Sequence, residues 1–158
     1  MIEYKGAVMR RFASKDSKRD FYILYTLVFG VIAGFIYYQF AGNGKSLVWS
    51  HDGIPQHLNS LAYYGRYLRE VLHTIFVEHK LELPMWDMNI GYGSDILTTL
   101  HYYVIGDPLT LLSVFVPADK TEVLYEVLIF LRIYLAGISF SVFVFIIRIR
   151  SRRRLWER

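Results

Sequence analysis

Residues 21–41, FYILYTLVFGVIAGFIYYQFA, carry no charged side chain. As an α-helix the run rises about 30 Å, enough to cross the hydrocarbon core of a bilayer. Tyr22, Tyr25, Tyr37 and Tyr38 stand toward its two ends, where amphipathic rings settle at the headgroup level. A secretory signal is the competing reading, because a basic stretch precedes the run. The run is longer than a usual signal core and lacks a convincing small-x-small cleavage site, so a spanning helix is expected.

A second apolar run, 127–147 (VLIFLRIYLAGISFSVFVFII), is interrupted by Arg132 alone. Charge is segregated around the two runs. Residues 1–20 hold six Lys/Arg against three acids, residues 42–121 five against eight, and residues 148–158 six Arg against Glu157. Basic blocks flanking apolar runs encode membrane topology and place both ends in the cytoplasm. A nucleic-acid binder would instead spread base and aromatic over one folded surface, so that class is excluded. The chain has no cysteine, hence no disulfide framework and no thiolate metal site.

The expected order is a cytoplasmic basic N-terminus (1–20), a first span (21–41), an extracytoplasmic loop (42–122), a second span (123–147) and an Arg-rich cytoplasmic tail (148–158). Within the loop, Leu58, Leu61, Ala62, Gly65, Leu68, Leu72 and Ile75 recur at helical spacing, with Arg66, Arg69, Glu70 and His73 on the other side. This predicts an amphipathic helix over 55–80, lying in the plane of the membrane surface. Residues 82–95, with Pro84, Gly91 and Gly93, read as loop. Residues 96–116 are apolar enough to suggest a third span, but Gly106-Asp107-Pro108 interrupts them, and a third crossing would put the Arg-rich tail outside. Two short helices meeting at that corner, re-entrant or interfacial, are expected instead. The fold class is therefore an all-α, multi-pass cell-membrane protein: two transmembrane helices flanking an extracytoplasmic segment of in-plane and re-entrant helices.

Several residues could carry chemistry. Asp52-Gly53 is either a turn or a carboxylate held at the membrane surface, able to act as general base or to hold a divalent cation. Arg132 either snorkels outward or meets a lipid phosphate bidentately. Trp86 reads as an interfacial anchor beside the Gly91-Tyr92-Gly93 elbow. Glu70-x-x-His73 has the spacing of half a di-iron site, but the second half is missing. Gly44-Lys45-Ser46 mimics the end of a phosphate loop, yet Gln39 stands where its glycine belongs and a spanning run precedes it. No cofactor is specified beyond the divalent cation that Asp52 would admit.

The series Asp52-Gly53-x-x-Gln56, Pro84-x-Trp86, Gly91-x-Gly93-x-Asp95, Gly106-Asp107-Pro108-Leu109 and Arg132-x-x-Leu135-Ala136-Gly137 resembles the N-terminal end of YfhO-like bacterial membrane proteins, which are of the glycosyltransferase C type. The resemblance covers about residues 20–150. It implies transfer of a sugar from a polyprenyl-phosphate carrier to a cell-envelope acceptor, such as a teichoic acid, on the outer face. Asp52 would be the catalytic base or metal-linked carboxylate; Gln56, Trp86 and Asp95 would shape the pocket mouth; Arg132 would contact the carrier phosphate. Proteins of this type have many more than two spans. The chain is therefore expected to be a front portion, inactive without the remainder of the transferase or another membrane subunit. The contrasting reading is a small two-span interaction protein, whose Gly30, Ala33, Gly34, Ala136 and Gly137 let helices approach closely.

Overall fold

The computed structural model describes residues 15–156, with side chains from Lys18 to Ile147. Of the two basic ends, residues 1–14 and 157–158 and the side chains from Arg148 onward lie outside the described residues. The chain divides into two compact units, one up to Lys45 and one from Ser46.

The first unit is helix α1 (Lys15–Ala41). The most apolar 18-residue stretch within residues 18–41 has a mean hydropathy of 1.8, and none of it is buried. Leu24, Leu27, Val31, Ile32 and Phe35 all lie open on its surface. A helix apolar all round with nothing covering it matches lipid as its solvent. The helix ends by a glycine stop. Gly42 N–H donates to the Tyr38 carbonyl at 2.8 Å and Lys45 N–H to the Phe40 carbonyl at 2.9 Å. Gly44 sits at φ +63°, the left-handed region where a Cβ is costly, so the Gly44-Lys45-Ser46 triplet is a helix terminus.

The second unit contains a π-helical turn (Gly53–Leu58) leading into α2 (Asn59–Phe76). Two short strands follow, β1 (Trp86–Asp87) and β2 (Ser94–Asp95), paired antiparallel with Trp86 opposite Asp95 and Asp87 opposite Ser94. Helix α3 (Ile96–Leu100) continues as a second π turn (His101–Ile105). After the Gly106-Asp107 corner come a 3₁₀ helix (Pro108–Phe115), a 3₁₀ turn (Ala118–Lys120) and the long α4 (Thr121–Trp156).

One apolar cluster joins these elements: Leu61 and Tyr64 of α2, Ile96 and Leu100 of α3, Val104 of the second π turn, and Leu124 and Leu128 of α4. Only the first turns of α4 take part. Further along, Ile133, Phe140, Phe143, Val144, Ile146 and Ile147 are exposed. The most apolar 18-residue stretch within residues 118–147 has a mean hydropathy of 2.2, and 11% of it is buried. The helix thus has two solvents, loop core at its start and, from its composition, lipid beyond.

The buried face of α2 is wider than the one its sequence predicts: of the expected residues Leu58, Leu61, Ala62, Gly65, Leu68 and Ile75 are buried or half-buried. Leu61, Tyr64, Gly65 and Val71 are buried, whereas Leu72 is exposed and Arg69 lies on the packed side. The cause is the neighbour. A Cβ on Gly65 would lie 2.7 Å from the Ser113 carbonyl oxygen, so α2 and the 3₁₀ helix touch backbone to backbone there. One turn on, Arg69 Nη1 donates to the Ser113, Val114 and Val116 carbonyls at 3.0, 3.3 and 2.9 Å. It satisfies the acceptors that the end of a 3₁₀ helix leaves open. The helix also stops at Phe76, short of residue 80; Lys80 N–H returns to the Thr74 carbonyl and His79 takes φ +56°.

Candidate functional site

The segment leading to Asp52 is fixed from its first residues. Leu47 N–H donates to Glu126 Oε1 of α4 at 2.9 Å, and Val48 is buried. Gly53 lies against Val48 and Trp49: a Cβ there would come within 3.1 Å of Trp49 Cβ and 3.3 Å of Val48 Cγ1. The Asp-Gly dipeptide is therefore set by close approach rather than by an unusual φ. Asp52 precedes the π turn, and its carbonyl accepts from both Gln56 and His57 N–H at 3.2 Å. This widened turn brings Gln56 over Asp52, where Gln56 Nε2 donates to Asp52 Oδ1 at 3.1 Å.

Gln56 is held from its other end by a residue that sequence reasoning passed over. Tyr103 donates its hydroxyl to Gln56 Oε1 at 3.0 Å. Tyr103 comes from the second π turn, and the His57 ring meets it edge-on at 5.3 Å. Wide i→i+5 turns often mark functional sites because they re-aim side chains that a regular helix would space differently. Here two of them face each other, and the result is a chain, Tyr103–Gln56–Asp52, ending on an exposed carboxylate. Neither π turn has a residue signature, so no sequence signal pointed to Tyr103.

Trp86 and Asp95 are brought together as cross-strand partners. Asp95 caps α3: its Oδ1 accepts from Thr98 N–H at 2.7 Å and from the Thr98 hydroxyl at 2.9 Å. Those bonds hold its carboxyl below the usual range. The neighbouring Asp87, absent from the sequence candidates, accepts from the Tyr63 hydroxyl at 2.6 Å and from Asn89 N–H and Nδ2 at 2.8 and 2.9 Å. The Tyr63 bond foremost, with Asn89 behind it, lowers the Asp87 pKa; burial and then the carboxylate raise that of Tyr63. The Arg66 guanidinium lies 5.9 Å from the Tyr63 ring centroid.

Arg132 pairs with Asp107. Nε donates to Oδ2 at 2.7 Å, while Asp107 Oδ1 accepts from Leu109 N–H at 2.9 Å. The five sequence candidates thus fall into three groups, Asp52–Gln56, Trp86–Asp95 and Arg132–Asp107, and no hydrogen bond joins one group to another. His73 lies 3.7 Å from Glu78 on the exposed side of α2 instead of pairing with Glu70. Among the described residues no set of three or more His, Asp or Glu side chains is gathered for a metal ion.

Two helices long and apolar enough to cross a membrane, joined by a packed helical segment, define a mostly helical membrane protein. Residues 24–155 match the profile of YfhO, described as bacterial membrane protein YfhO, and the chain belongs to that family. The match includes all five candidates and Tyr103. No curated protein and no solved structure matches.

Proposed function

We propose that this chain supplies the acidic extracytoplasmic loop of a polytopic glycosyltransferase, which moves a sugar from a polyprenyl-phosphate carrier to a cell-envelope polymer on the outer face. The observation that carries the reading is the Tyr103–Gln56–Asp52 chain, which holds one oxygen of an exposed carboxylate in a loop following an apolar helix. Asp52 takes the proton of the acceptor hydroxyl. The freed oxygen attacks the anomeric carbon, and the carbon–oxygen bond to the carrier phosphate breaks, the phosphate leaving with the electron pair. Arg132, its Nε held by Asp107, offers its terminal nitrogens to that phosphate. Gln56, Trp86 and Asp95 bound the sugar. A divalent cation, where the reaction uses one, would be held by Asp52 and would offset charge on the departing phosphate.

Positive-inside logic puts both ends in the cytoplasm and this loop outside. α2 then lies along the outer surface and residues 96–116 dip toward the leaflet. Two spanning helices enclose no groove for a lipid phosphate, so transfer requires further spans, from the same polypeptide or a partner subunit.

The test is sugar transfer from labelled polyprenyl-phosphate sugar in membranes containing the assembled protein. Asp52→Asn is expected to lower the rate by about 10² or more, the usual worth of a general base. Asp119→Asn, an exposed acid on the same loop, is the control and leaves the rate unchanged. Full transfer by Asp52→Asn protein would remove the catalytic reading and leave an accessory, interaction role.

A further inference from the structure

The hairpin of β1 and β2 has an inner and an outer face. Directly opposed residues in an antiparallel ladder share a face, and successive residues alternate. Asp87 and Ser94 form the inner pair: Asp87 reaches Tyr63 on α2, and the Ser94 hydroxyl lies 2.7 Å from that of Thr99 on α3. Trp86 and Asp95 are therefore the outer pair. Trp86 remains 61% exposed even though the fold has an apolar cluster nearby.

The indole is nevertheless fixed. Its Nε1–H points at Met88 Sδ at 3.4 Å, and Gly93 lies beneath it. A Cβ on Gly93 would come within 3.3 Å of Trp86 Cζ2 and Nε1 and 2.9 Å of Met88 Sδ, and its φ is +104°. Only glycine satisfies both the conformation and the clearance. Asp95 completes the outer face. Both bonds from Thr98 end on Oδ1; with Leu97 N–H also drawn to the carboxylate, Oδ2 still keeps acceptor capacity, since each oxygen can accept two bonds.

We infer that this outer face, the Trp86 indole beside Asp95, is a shelf for a neutral sugar ring. The C–H face of a pyranose stacks on the indole, and its hydroxyls donate to Asp95. The inference deepens the proposed function and rests on it for the choice of ligand. Charge supports the choice. Residues 81–100 contain Glu82, Asp87 and Asp95 and no Lys or Arg. Within this segment no basic residue is present to hold a uronate or phosphate or to draw it onto anionic lipid; Arg66 of α2 lies against the Tyr63 ring, on the side of Asp87. The ring on the shelf is consequently an uncharged sugar, and any phosphate of donor or acceptor lies away from it.

Binding is read without turnover, so it stands or fails separately from Asp52. In a Trp49→Phe/Trp156→Phe background Trp86 is the sole indole, and the full chain in nanodiscs is titrated with cellohexaose, chitohexaose and mannohexaose. A saturable change in Trp86 emission is expected with at least one, about tenfold tighter than with an oligogalacturonate of equal length. Gly93→Ala and Trp86→Ala, followed by calorimetry, should weaken binding, and Trp86→Phe should retain part of it. No saturable change with any neutral oligosaccharide overturns the inference. So does quenching of Trp86 by brominated lipid, which would make the indole a membrane anchor.

Discussion

The Asp107 carboxylate, at the corner of the apolar 96–116 segment, accepts the Nε–H of Arg132 on α4 at 2.7 Å. Each charge alone would be costly in apolar surroundings, and the pair settles both. Their side chains are 31% and 39% exposed. The pair also fixes direction, because the second Asp107 oxygen caps Leu109 N–H and starts the 3₁₀ helix. Asp107→Leu or Arg132→Leu alone is expected to destabilise the loop by about 2 kcal/mol, leaving one charge without its partner. The double replacement should cost less than either single one. Thermal unfolding in detergent measures the cycle, and additive losses would show that the two residues act independently.

Gly65 offers a second test, one of packing. Alanine there pushes a Cβ to 2.7 Å from the Ser113 carbonyl oxygen, a backbone atom that cannot rotate away. A loss of about 1–3 kcal/mol is expected, together with weaker seating of the Arg69 guanidinium on the same 3₁₀ helix. Gly30→Ala in α1 is the contrast, since nothing lies within 4 Å of its added methyl. Equal effects of the two substitutions on the unfolding temperature would dismiss the close approach at Gly65.

These pairings show what a sequence discloses. The two long apolar helices are plain in it, because a run with no charge (21–41), or with Arg132 alone (127–147), over a membrane's thickness needs no tertiary information. Asp107 and Arg132 were each visible as a charge out of place, and opposite charges in apolar runs pair; taking them together would have joined the corner to α4. The Trp86–Asp95 register was harder to see. Two-residue strands show no alternation, and the signal lay in Gly93, whose conformation the hairpin needs. Tyr103 was not legible, because its bond to Gln56 depends on two π turns meeting across 47 residues of chain. The wider buried face of α2 has a similar origin, since tyrosines that a hydropathy pattern treats as ambiguous, Tyr63, Tyr64 and Tyr67, pack beside Leu61 and Leu68.

The Tyr63–Asp87 bond makes the hairpin pH-sensitive at both extremes. Its carboxyl is lowered from an ordinary 3.8, so the stabilisation is whole above that value and disappears as pH falls through the depressed one. The Tyr63 phenol is raised from 10.0, so the same bond is whole below that value and is lost at more alkaline pH, as the phenol ionises. Trp86, next to Asp87, reports the change in the single-indole background. Its emission should shift below about pH 4 in the parent protein, and Asp87→Asn should abolish that acid transition. An acid transition unaltered in Asp87→Asn would place its origin in another carboxylate.

The absence of native cysteine makes the topology directly measurable. Tyr92 projects fully into solvent from the hairpin, and Ser151 lies among the arginines that follow the second apolar run. With both ends in the cytoplasm, Tyr92→Cys reacts with a membrane-impermeant maleimide in intact cells, whereas Ser151→Cys reacts only after permeabilisation. A third crossing by residues 96–116 reverses one of these results, because it moves Ser151 to the side of Tyr92. Labelling of both cysteines from outside would thus turn the Asp107–Arg132 pair from an interfacial corner into a charge pair inside the bilayer, where breaking it costs more. The labelling pattern and the Asp107–Arg132 cycle therefore constrain each other: strong coupling with external Tyr92 and internal Ser151 fits a segment that enters one leaflet and returns.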